Sequence, residues 1–67
     1  MNKGTMNAII KRIRNGETRF FIGSYYYDCS ISGIIRRREQ EAGRTPTTNW
    51  ECIANWDPMT LEITEVQ

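Results

Sequence analysis

Apolar residues recur along this chain with two different periods. In NAIIKRIRNGETRFFIGSYYYD, β-branched and aromatic residues crowd both sides of Asn15-Gly16, the dipeptide that most strongly signals a tight hairpin. A two-residue loop there sets Ile13 opposite Thr18, Lys11 opposite Phe20 and Ile9 opposite Ile22, and gathers Ile9, Ile13, Phe20 and Ile22 on one face. A rival reading makes residues 5–14 a helix, with Thr5 as its cap, Met6, Ile9, Ile10 and Ile13 as a stripe, and Asn15-Gly16 as its left-handed end. The hairpin is preferred because the β-prone stretch TRFFIGSYYY otherwise lacks its nearest partner.

The period changes in SISGIIRRREQEAG. Ile31, Ile34, Ile35, Arg38 and Ala42 fall on one helical face, Asp28 or Ser30 can cap the start, and Gly43 suits the position just past the end. This spacing predicts a helix over about 30–42, in spite of Gly33 in its first turn. Beyond the polar loop GRTPTTN, Trp50, Cys52, Ala54 and Trp56 alternate with Glu51, Ile53 and Asn55, and Leu61 and Ile63 alternate with Glu62 and Thr64. Two strands joined by an Asp57-Pro58 turn follow. A short helix opened by the capping box Thr48 to Glu51 is the other reading of the first. The expected fold is α+β, a single domain over 1–67 with residues 1–5 frayed: two β-hairpins in the order ββαββ form an antiparallel sheet, and the helix packs on one face.

Charge adds a second division. Residues 1–44 carry all nine basic side chains and four acids, Glu17, Asp28, Glu39 and Glu41; residues 45–67 carry Glu51, Asp57, Glu62 and Glu65 and no base. The net charge of +1 conceals this segregation. No apolar run approaches the roughly 18 residues of a membrane span, and the start lacks the apolar stretch of a signal peptide, so a soluble, cytoplasmic protein is expected. The two cysteines, Cys29 and Cys52, cannot form a four-cysteine metal site; two buried free thiols are expected, with one disulfide as the alternative.

With no histidine, imidazole catalysis, histidine metal ligation and a Cys-His pair are excluded. Neither Glu39 with Glu41 nor Glu62 with Glu65 shares a face as an acid and base dyad would, and the isolated glycines form no phosphate loop. Cys29, at the start of the expected helix, is the one candidate for a reactive thiolate. No catalytic residue, metal ligand or cofactor is expected.

What remains is arginine and aromatic surface. Helical spacing turns Arg36 and Arg37 outward, with Arg44 extending them and Glu41 offsetting Arg37, while Arg12, Arg14 and Arg19 share the outer face of the first hairpin. So thin a core cannot enclose all of Tyr25, Tyr27, Trp50 and Trp56, and Tyr25, Tyr27 and Trp56 are the aromatic candidates for contact. The leading expectation is a small non-enzymatic binding protein that contacts a larger protein or protein–nucleic acid complex and inhibits or modulates it. Its size and surface resemble those of inhibitors encoded by bacteriophages and mobile elements, a likeness of class with no motif behind it. The alternatives are a nucleic-acid-binding module using the basic first hairpin and helix, and a regulatory homodimer paired through edge strands.

Overall fold

The computed structural model describes residues 2–60 and 62–66. One helix comes first, α1 (Lys3–Arg14), followed by β1 (Arg19–Ile22), β2 (Tyr25–Cys29), β3 (Ile34–Glu39), β4 (Glu51–Trp56) and β5 (Ile63–Glu65). The strands form one antiparallel sheet in chain order, each paired with its sequence neighbour. The α+β class and the single small domain stand; the ββαββ order is corrected to a helix followed by a five-stranded meander.

The correction begins at Asn15-Gly16. These residues end a helix instead of turning a hairpin: Gly16 has φ +82°, its N–H donates to the Ile13 carbonyl at 2.9 Å, and the Glu17 N–H donates to the Arg12 carbonyl at 3.1 Å. That is the paired bonding of a left-handed helix terminus. At the other end Asn2, not Thr5, is the cap, and its side chain accepts from the Thr5 N–H at 2.7 Å. Lys11, Arg12 and Arg14 lie in the last turn, where the helix dipole favours cations. α1 begins inside the segment expected to fray.

The strand left without its expected partner finds a nearer one. Gly23-Ser24 is a two-residue loop between Ile22 and Tyr25, with positive φ at Gly23, as tight hairpin turns require. TRFFIGSYYY is therefore a hairpin in itself.

The helix expected over 30–42 is absent. Ile31, which should have begun its buried stripe, is 97% exposed at the tip of the β2–β3 hairpin, where the Gly33 N–H donates to the Ser30 carbonyl at 3.0 Å. Residues 34–39 run instead as the central strand, bonded to β2 on one side and β4 on the other. Ladder bonding on both sides outweighs a helical spacing that rests on three isoleucines.

β4 and β5 form a hairpin as expected, with Leu61 outside the described residues. Its internal pattern differs. Ile35 pairs with Ala54 and Arg36 with Cys52, so Ile53 is an extra residue, a β-bulge, and side-chain alternation resets there.

The core lies on the helix side of the sheet. Ile9 of α1, Phe20, Tyr27, Cys29, Ile35 and Ala54 are buried together, with Trp56 and Ile63 packed at the margin. No described helix is long and apolar enough to cross a membrane.

Candidate functional site

Paired residues of an antiparallel sheet share a face, so the register assigns every strand side chain to one of two sides. Phe20, Tyr27, Arg37 and Glu51 fall on the helix side. On the opposite side, which carries no second layer among the described residues, two rows cross the strands. One runs Phe21, Tyr26, Arg38 and on to Trp50; the other runs Arg19, Asp28, Arg36.

The first row is a continuous run of contacts between rings tilted to one another. Phe21 and Tyr26 have ring centroids 4.4 Å apart, and Tyr26 and Trp50 5.8 Å apart. The Arg38 guanidinium lies 4.4 Å from the Trp50 centroid and 5.6 Å from that of Tyr26, while its Nε donates to the Gln40 side-chain oxygen at 2.9 Å. Arg36 approaches Trp50 from the second row, at 4.9 Å. Trp50 thus carries two guanidiniums, each attracted by the negative face of the ring.

The second row is centred on Asp28, a carboxylate only 7% exposed. Arg36 Nη2 donates to its Oδ2, and Arg19 Nε lies 3.5 Å from its Oδ1. The buried carboxylate holds Arg36 between itself and the indole, while Arg19, 63% exposed, is a surface partner. Beside the first row an open groove of about 410 Å³ is lined by Arg38, Pro46, Thr47, Thr48, Asn49 and Trp50.

The residues singled out from the sequence are dispersed. Arg36 and Arg19 lie on the helix-free face. Arg37, expected beside Arg36, is turned to the other side, 4.2 Å over the Tyr25 ring, with its Nε buried and unpartnered. A strand separates what helical spacing had joined. Tyr27 is 1% exposed and belongs to the core, Tyr25 packs at the core margin, and so does Trp56, whose indole N–H is buried without a partner. Arg12 is tied to Glu17 at 3.0 Å, Arg14 is exposed on α1, and Arg44 sits in the β3–β4 loop, 3.6 Å from Glu41, which therefore does not offset Arg37. The hairpin about Asn15-Gly16 and the helix over 30–42, expected as a nucleic-acid surface, do not exist as elements.

Phe21, Tyr26 and Arg38 were the residues overlooked, and Trp50, one of four aromatics too many for the core, was passed over for Trp56. Strand parity in RFFI, YYYDC and IIRRRE puts Phe21, Tyr26 and Arg38 on one face; Trp50 joins them only through the bulge.

The cysteines are free, Cys29 buried and Cys52 exposed, which corrects the expectation of two buried thiols. Cys29 ends β2 instead of opening a helix, and burial, reinforced by the neighbouring Asp28 charge, pushes its thiol up to about 12. It is the reverse of an activated nucleophile. Among the described residues no group of Cys, Asp and Glu is placed to hold a metal ion. No protein family, curated protein or solved structure matches the chain.

Proposed function

We propose that this chain is a non-catalytic binding protein that acts through the helix-free face of its sheet, occupying a site on a larger macromolecular partner and so inhibiting or redirecting it. One observation carries the reading: Phe21, Tyr26, Trp50, Arg36 and Arg38 form an ordered layer of rings and guanidiniums with no second layer over it. Tyr, Trp and Arg are the side chains that most often dominate binding energy at interfaces, and here they are held by one another in advance of contact. The outer side of α1, with exposed Lys11 and Arg14, offers charge without rings.

The test is comparative capture from a lysate with three tagged forms: the natural chain, Arg38→Glu with Trp50→Ala, and Lys11→Glu with Arg14→Glu. The partner is expected with the first and third and lost with the second. Equal recovery by all three would remove the face from consideration.

A further inference from the structure

We infer that the partner of the helix-free face is single-stranded nucleic acid, an inference that rests on this face being where the protein binds. The first ground is shape. The side chains of the two rows end in planar groups, the rings of Phe21, Tyr26 and Trp50 and the guanidiniums of Arg19, Arg36 and Arg38, with Asp28 sunk among them. Rings and guanidinium planes both stack on unpaired bases, and they do so whatever the base. The aliphatic strand residue on this side, Ile34, lies at the far end of β3 from Trp50 and is 41% exposed.

The second ground is charge. Among the described strand residues, Asp28 is the only carboxylate that the register places on this face, and it is turned inward between Arg19 and Arg36. Glu39, Glu51 and Glu65 point to the helix side, and Asp57 and Glu62 belong to the β4–β5 turn. The described strand residues of this face thus set three arginines against one carboxylate, a net cationic surface to which phosphates are complementary. The third ground is the groove beside Trp50 and Arg38, about 410 Å³, where the Asn49 amide and the hydroxyl proton of Thr48, whose Oγ1 accepts from the Glu39 N–H, can meet base edges, while the Thr47 hydroxyl is turned to Glu39. A duplex cannot use this arrangement, since its bases are already stacked and paired.

The experiment uses the full chain carrying Trp56→Phe, which removes the buried, unpartnered indole N–H and leaves Trp50 as the only tryptophan. Titration with a labelled oligothymidylate of about 15 nucleotides, near the upper span of one small domain, is followed by anisotropy and by Trp50 fluorescence. Saturable binding with quenching of Trp50 is expected at low salt. Three phosphate contacts predict a log–log salt slope of about −2, and Arg38→Gln should reduce its magnitude by about 0.7. Trp50→Ala, checked for folding by circular dichroism, should weaken binding roughly five- to hundredfold; Phe21→Ser provides the same test should that variant not fold. No binding at low salt, affinity indifferent to these changes, or a duplex bound as tightly as the single strand would each overturn the inference. If oligonucleotides do not bind while capture of a protein is lost with the Arg38 and Trp50 changes, only the choice of partner falls; if capture is indifferent as well, the face falls with it.

Discussion

At Gly33 the backbone has φ +92°, and a Cβ built there would collide with the carbonyl oxygen of Trp56, whose N–H in turn donates to the Gly33 carbonyl at 2.7 Å. Gly33→Ala therefore combines a left-handed penalty with a clash against backbone that cannot swing aside. A loss of at least about 2 kcal/mol is expected from the denaturant midpoint. Gly23→Ala, with positive φ but open space around the new methyl, should cost only about 1 kcal/mol. Cys29 gives a residue-scale prediction in pH. Its folded pKa of about 12 lies above its ordinary value of 9.0, so the folded state holds the proton more tightly than the unfolded chain does. That contribution is complete below pH 9.0 and is lost as pH climbs toward 12. The melting temperature should fall more steeply across this range in the natural chain than in Cys29→Ala, in which background titrations common to both cancel; parallel curves would contradict it. A thiol reagent at neutral pH should label Cys52 alone until the chain is unfolded.

At the scale of elements, the sequence carried the C-terminal hairpin and the β character of 19–29 better than the N-terminal segment and the stretch 30–42. The loop 43–49, the β4–β5 hairpin and the β character of RFFI and YYYDC were legible because alternation and turn residues agree there. Asn15-Gly16 was ambiguous on physical grounds: the positive φ that suits a hairpin turn also suits a helix terminus, and only the competing turn at Gly23-Ser24, itself a recognised hairpin dipeptide, decides between them. The stretch 30–42 misled because Ile31, Ile34 and Ile35 satisfy a helical spacing by accident; Gly33, treated as a tolerated cost, marked the turn. Half of the candidate face depended on that choice. Read as a strand, IIRRRE puts Arg36 with Arg38 and sends Arg37 away; read as a helix, it joins Arg36 to Arg37.

At the scale of the molecule, one side of the sheet holds the apolar core and the other is covered by its own side chains. A 67-residue domain is stabilised by roughly 3–10 kcal/mol. Ile35→Ala, at a fully buried position on the central strand, should remove about 2–5 kcal/mol of that, seen as a large drop in urea midpoint or as outright unfolding. The bulge at Ile53 keeps the two sides separate in a further sense. Trp50 and Trp56 are an even number of positions apart, and in an uninterrupted strand they would share a face; with parity reset between them, Trp56 answers to folding and Trp50 to contact. The same short strand can therefore drift at one end under the demands of a partner while its other end stays under the demands of the core. A regular ladder that kept the same spacing would end that independence, because Trp50 would be turned toward the helix and would have to serve as filling.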